Sequence, residues 1–152
     1  MNAKNTGQRF GTQVLDRPLD AAELEQLAQA DAGFSRTIGL RYTHVSGERV
    51  EGYVDIGPQH HQPMGLANGG VFCTIGETLG SAAAVAASGA PAVGMSNSTD
   101  LLRGVSEGRV EAVAVPVHVG STTHLWRIEM RHEGHLVAQT HLKLMILSRP
   151  RG

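Results

Sequence analysis

QPMGLANGGVFCTIGETLGSAAAVAAS, residues 62–88, is the longest apolar tract of the chain and the stretch whose reading decides the fold. A Gly-rich turn opens it, and a proline-free run of small and apolar residues follows. Gly89 and Pro91 close it with the usual stop signals for a helix. Asn68 stands where an N-cap belongs, because its short amide can accept from the free N–H groups of a first turn. Gly69 and Gly70 then begin the helix with no side chain over those N–H groups, which makes a site for an anion or a carbonyl oxygen. One carboxylate, Glu77, stands among the small residues of this helix. A lone Glu in an Ala/Gly-rich, buried helix needs a reason to be there. These two features read as halves of one active site.

Their spacing adds a constraint. Gly69 and Glu77 lie roughly 12 Å apart along a helix axis, and a Glu side chain reaches only about 5 Å from its Cα. Glu77 therefore cannot meet the Gly69 amide of its own chain. If both act on one substrate atom, two such helices must lie side by side in a symmetric dimer with shared sites.

The rest of the chain sets bounds. Its 152 residues are expected to form one domain, 19–152, behind a loose, flexible arm at 1–18 that is polar and Gly-containing. The 13 Lys and Arg nearly balance the 14 Asp and Glu, so neither a nucleic-acid nor a membrane partner is implied. A single cysteine, Cys73, excludes an internal disulfide framework and fits the reducing cytoplasm. The opening MNAKNTGQRFGTQ has no apolar core and does not read as a signal peptide. Glu77 in the middle of the long apolar tract argues against a membrane span.

Along the chain, DAAELEQLAQADAG from Asp20 reads as a helix with Leu24, Leu27 and Ala28 on one face. Two period-two runs follow, Arg36–Val45 and Arg49–Ile56, joined at Ser46-Gly47. After Pro91 come four more strands, Ala92–Leu102, Val110–Val119, His124–His132 and Leu136–Leu147, the last two joined by a Glu133-Gly134 turn. Val113, Val115, Val117 and Val119 are expected to line one face, and Trp126, Ile128 and Met130 point inward. The pattern is α+β: one long helix and about six strands, mainly antiparallel, each with a single apolar face. The long helix is the one large apolar object able to cover that face. A curved sheet wrapped around one helix is the hotdog fold.

These residues carry a family resemblance. GLANGGVFCTIGETLGSAA (65–83) resembles the helix motif of hotdog-fold acyl-CoA thioesterases, usually His-Gly-Gly followed by an acidic residue. AVGMSNSTDLLRGVSEGRVEAVAVPVHVGSTT (92–123) and the closing SRPRG are similar to the Arthrobacter-type 4-hydroxybenzoyl-CoA thioesterases of the PaaI-like group. The resemblance implies hydrolysis of a thioester, 4-hydroxybenzoyl-CoA or a related aromatic or small to medium acyl-CoA, to free acid and CoA. It implies a homodimer with shared sites, assembled further into a homotetramer, and no cofactor. By the same match Glu77 is the catalytic nucleophile or general base, and the Gly69 N–H polarises the thioester carbonyl. Gln62 matches a residue that orients that carbonyl, and Ser81 falls where those enzymes have a Thr near the carboxylate. Arg103, Ser121, Thr122 and Arg151 match residues that hold the nucleotide and phosphates of CoA. Asn68 stands in place of the motif His, keeps the cap, and by its position is counted with the residues that contact CoA.

Plainer readings stand beside these. Gly76-x-x-x-Gly80 is a packing face for a sheet or partner helix. Cys73 is a small core residue, since no His is placed to activate it. The eight His show no ligand spacing, so no metal is expected. Two alternatives to a thioesterase remain. A hotdog enoyl-CoA hydratase would need an Asp/His pair that the sequence does not supply. A non-catalytic acyl-CoA-binding module would not need Glu77 and usually carries a DNA-binding segment, which residues 1–34 lack.

Overall fold

The computed structural model describes residues 8–148. The order of elements is α1 (Ala21–Ala30), a helical turn α2 (Phe34–Thr37), β1 (Arg41–Val45), β2 (Val50–Ile56), a 3-10 turn (Pro58–His60), α3 (Gly69–Ser88), β3 (Ala92–Leu101), β4 (Gly108–Val119), β5 (Thr123–His132) and β6 (His135–Ile146). The six strands form one antiparallel sheet in the order β1-β2-β4-β5-β6-β3. α3 touches every strand, as a sheet curled around one helix requires. By length and composition α3 could cross a membrane, but 56% of its apolar window is buried inside the fold.

α3 begins as its sequence dictates. The Asn68 side chain accepts from Gly70 N at 2.8 Å, and Gly89 ends the helix in the left-handed conformation, φ 65°. Gly76 and Gly80 let the sheet approach. A Cβ on Gly76 would run into Thr140, and one on Gly80 would lie 2.6 Å from Leu142 Cδ2. The packing partner of this glycine face is therefore the sheet, at β5 and β6. Ile75, Leu79, Trp126, Ile128, Met130, Leu142 and Leu144 fill the space between and are fully buried.

Two strands slip phase. β4 buries Val110, Ala112 and Ala114, so Val113 and Val115 lie on the face away from the core. A bulge between Pro116 and His118 then shifts the register, and Val117 and Val119 are exposed. Small Ala side chains suit close approach to a helix, and Pro116 has no N–H to leave unpaired at the bulge. β3 carries a second bulge, between Gly94 and Ser96.

The N-terminal side also departs from expectation. Arg36–Leu40 is not strand: Phe34–Thr37 forms a helical turn that starts at Gly33, and β1 begins at Arg41. Ser35 is buried and donates to the Asp31 carboxylate, while Gly39 ends the turn at φ 77°. Residues 9–18, expected within the loose arm, pack with Leu19 as a strap. Leu15 and Leu19 are buried, Leu15 N donates to Ala86 O at 3.0 Å, and Leu19 N donates to Val45 O at 2.9 Å. Arg9 and Arg17 bind Glu23, whose carboxylate also accepts from Asp20 N in the α1 capping box. The Arg9 hydrogen bond, more than any other contact, holds Glu23 down at about 2.

Candidate active site

Glu77 lies on the α3 face that looks toward β3, the last strand of the sheet. Its carboxylate rests against the bare backbone of Gly94: a Cβ there would be 2.5 Å from Oε1. Asn97 Nδ2 donates to Glu77 Oε2 at 3.3 Å and to Cys73 O at 3.0 Å. The β3 bulge makes this possible. In an unbroken strand, residues 94 and 97 would face opposite sides; the extra residue at Met95 turns both toward the helix. Phe34, Ser35, Cys73, Thr74, Thr78 and Asn97 complete a shallow pocket around Glu77. Phe34 is 67% exposed, a large apolar ring held at the pocket mouth by a helical turn. Cys73, expected as a core residue, is half-buried and lines this pocket instead. The helix puts its backbone one turn before Glu77, on the polar rather than the glycine face.

Gly69 is the first residue of α3, and Gly70 N and Val71 N are occupied by the Asn68 side chain and carbonyl. Among the described residues, none accepts from the Gly69 N–H. This donor points out of the positive end of a 20-residue helix. Gln62 sits in the loop before it. Its own N–H donates to Leu66 O at 2.8 Å, and its side-chain oxygen accepts from Met64 N. The amide NH2 is thus the part of Gln62 offered outward, which suits a carbonyl acceptor. His60 ties the loop down from beneath. It is buried, accepting from Gly57 N at 3.0 Å and meeting Ile38 O at 2.8 Å. Since the N–H can only donate and the C=O only accept, the ring is the neutral tautomer with its proton on Nε2.

The remaining expected residues do not all converge. Ser81 is half-buried one turn beyond Glu77 and does not line its pocket. Arg103 is exposed in the loop after β3, whose Gly104 packs on Leu66 close to the start of α3. Ser121 and Thr122 form the β4–β5 turn beside Gly89, at the other end of α3. A helix of this length spans about 30 Å, so within one chain these two groups cannot grip the same phosphates. Arg151 lies outside the described residues. Gly94 and Asn97 are the contacts of Glu77 that the sequence reading missed; the only trace of them was a Gly and an Asn in an otherwise regular strand. Among the described residues, no group of three or more His, Cys, Asp or Glu could hold a metal ion.

Residues 64–139, from the turn before α3 into β6, match the model of the thioesterase superfamily. The 1,4-dihydroxy-2-naphthoyl-CoA hydrolase of Escherichia coli is 30% identical over 113 residues, covering 72% of this chain and 83% of that protein. The chain belongs to the thioesterase superfamily. The proofreading thioesterase EntH of Cronobacter turicensis is 34% identical over 98 residues, covering 63% of this chain and 72% of its own. A solved thioesterase of Haemophilus influenzae covers 92% of this chain and 100% of its own at TM-score 0.79; at 23% identity this likeness speaks for the fold alone. The chain is therefore a hotdog-fold thioester hydrolase, and an acyl-CoA is the class of substrate its family implies.

Proposed function

We propose that this thioesterase hydrolyses an aromatic or medium-chain acyl-CoA at sites built from two copies of the chain. The observation that carries this reading is the Glu77 carboxylate, lodged against Gly94 in an open pocket, while the free Gly69 donor lies two turns away on the same helix. The thioester carbonyl oxygen would sit on the Gly69 N–H of one protomer, where the helix end stabilises developing negative charge. Glu77 of the other protomer then attacks the carbonyl carbon to give a mixed anhydride, or takes a proton from the attacking water. The leaving sulfur departs as CoA thiolate and takes up a proton; on the covalent route water then cleaves the anhydride, which frees the acid and restores the Glu77 carboxylate. Gln62 donates to the carbonyl or acyl oxygen. No metal or cofactor is called for.

The bare edge of β3 supports the pairing of protomers. Its outer backbone groups have no strand beside them, and Val93, Met95, Leu101 and Leu102 are exposed along and just beyond it. A second β3 laid antiparallel against the first would cover them and bring two copies of α3 together. A dimer also answers the separation of Arg103 from Ser121 and Thr122, which would meet one CoA only from different chains. A dimer of such dimers is the assembly we expect, acting in the cytoplasm.

The acyl group would lie over Cys73, Thr74 and Thr78 against the Phe34 ring, which suits a flat aryl or a medium alkyl group. A panel of aryl- and alkyl-CoA thioesters, followed by release of free thiol, tests this. Aryl substrates should give the highest kcat/KM, and Phe34→Ala should reduce their advantage. Equal turnover of short acetyl- and aryl-CoA would contradict the acyl assignment.

A further inference from the structure

The contact between Asn97 and Glu77 is the end of a longer line of hydrogen bonds. Thr99, two residues on and on the same inward face of β3, donates its hydroxyl proton to Asn97 Oδ1 at 2.8 Å. Thr99 Oγ1 also meets Thr140 Oγ1, across the β3–β6 ladder, at 2.6 Å. A hydroxyl has one proton, and an amide oxygen can only accept. Thr99 has therefore spent its proton on Asn97, and Thr140 must donate to Thr99. The Asn97 amide is oriented by the same logic. Its two hydrogens face Cys73 O and Glu77 Oε2, neither of which can donate; turned over, it would put oxygen against oxygen on that side. Thr140 itself is fully buried and seated on the bare backbone of Gly76.

We propose that Thr140, Thr99 and Asn97 form a one-way hydrogen-bond relay that holds the Glu77 carboxylate in its reacting orientation. Asn97 and Thr99 are positioning residues, and the inference rests on Glu77 being the reacting carboxylate. Donors aligned in one sense polarise one another, and the last of them acts on a charged acceptor. The relay reaches Oε2 alone; among the described residues no hydrogen bond is made to Oε1, which is left for the attack or for the water. Asn97 is tied at the same time to Cys73 O, the carbonyl one turn before Glu77, so β3 and the turn of α3 that carries the carboxylate are clamped together. Cys73 is the one other titratable group lining this pocket.

Thr99 is the place to test this, because it acts on Glu77 only through Asn97. Thr99→Val removes the proton that orients the amide, and kcat should fall about 10- to 100-fold, the effect of a lost hydrogen bond to a charged group. KM should stay within about twofold, and Thr99→Ser, which restores the hydroxyl, should recover kcat to within about threefold. Asn97→Asp places a second carboxylate beside Glu77, and the acid limb of the kcat profile should move to higher pH by about one unit or more. Threonines that merely supported the fold would lower the melting temperature of Thr99→Val and leave its kcat at the wild-type value. Wild-type kcat in Thr99→Val, a Thr99→Ser variant as slow as Thr99→Val, or an unmoved limb in Asn97→Asp would overturn the relay. Retained activity in Glu77→Ala would instead overturn the functional reading beneath it, so the two failures are separable.

Discussion

The two edges of the sheet are finished in opposite ways. At β1, α1 and the strap lie over the edge, and Leu19 N donates to Val45 O at 2.9 Å. At β3, among the described residues, nothing covers the edge, and eight of its ten residues are exposed although the strand is long and carries apolar side chains. Proteins usually blunt such an edge with charge, proline or a covering element. Here the uncovered edge is also the one that carries Gly94 and Asn97 against Glu77, so the open strand and the candidate chemistry coincide. The covered edge serves the stability of the single chain, and the open one is where we propose that a second copy docks.

Substitutions along α3 sharpen this contrast. The largest effect should come from Glu77→Ala. With the reacting carboxylate gone, kcat should fall at least about 1,000-fold while the melting temperature and CoA binding stay near wild type. A variant that keeps more than about a tenth of the wild-type kcat would remove Glu77 from the chemistry.

Next comes a pair of glycines that differ only in the side they face. In Gly94→Ala the new methyl meets the far end of the Glu77 side chain, which can swing away. Stability should barely change, yet a carboxylate displaced by about 1 Å should cost on the order of 100-fold in rate. In Gly76→Ala the methyl meets the branched, packed Thr140. That variant should lose about 1–3 kcal/mol of stability by overpacking. Chemical denaturation and initial rates on both proteins separate the two outcomes, and equal loss of stability in both would erase the distinction between the faces.

Arg103 should act more weakly. Its replacement by Ala should raise KM about tenfold with little change in kcat, because a phosphate contact persists from ground state to transition state. High salt should shrink the difference. A collapsed kcat with unchanged KM would contradict a role in holding CoA.

The smallest effect concerns His124, at the turn that bears Ser121 and Thr122. Burial, chiefly, pushes its imidazole below the ordinary 6.5, with His118 adding to the effect, and Trp126 Nε1 donates to its Nδ1 at 3.3 Å. The unfolded chain thus takes up this proton at higher pH than the folded one. Its contribution to stability is complete above 6.5 and is lost as pH falls from there toward the lower folded value. The melting temperature should drop between pH 7.5 and 5.5, and His124→Gln should flatten that drop. An equally steep drop in the variant would assign the acid sensitivity to another group.

How much of this was legible in the sequence follows from periodicity. The α3 span and the inward side chains of β5 could be read because regular elements repeat at 3.6 or 2 residues. The surroundings of Glu77 could not. The bulge at Met95 adds one residue to β3 and turns Asn97 inward, where strict alternation from Gly94 would have left it outside. In the same way, alternation put the valines of β4 on one face, whereas the core accepted Val110, Ala112 and Ala114. Arg36–Leu40 alternates like a strand, but Gly33 at the N-cap and the Ser35 hydroxyl held by Asp31 wind its start into a turn. Leu15 was hidden because Phe10, Val14 and Leu15 lie in a polar, Gly-containing segment that forms no regular element to repeat them. The distance between Arg103 and Ser121 is tertiary information that no local pattern contains.

The shared site is the central claim, and subunit exchange between two inactive variants tests it most directly. Gly69→Pro deletes the proposed oxyanion donor at a helix position that tolerates proline, and what it would meet is the Cδ1 tip of Leu101, the far end of a flexible side chain. Alone it should lose on the order of 100- to 1,000-fold in rate. Mixed with Glu77→Ala and allowed to exchange, about half the dimers become mixed, and each then holds one site with both lesions and one with neither. Activity should recover toward about a quarter of wild type. Mixed dimers confirmed by mass that remain inactive would contradict the account.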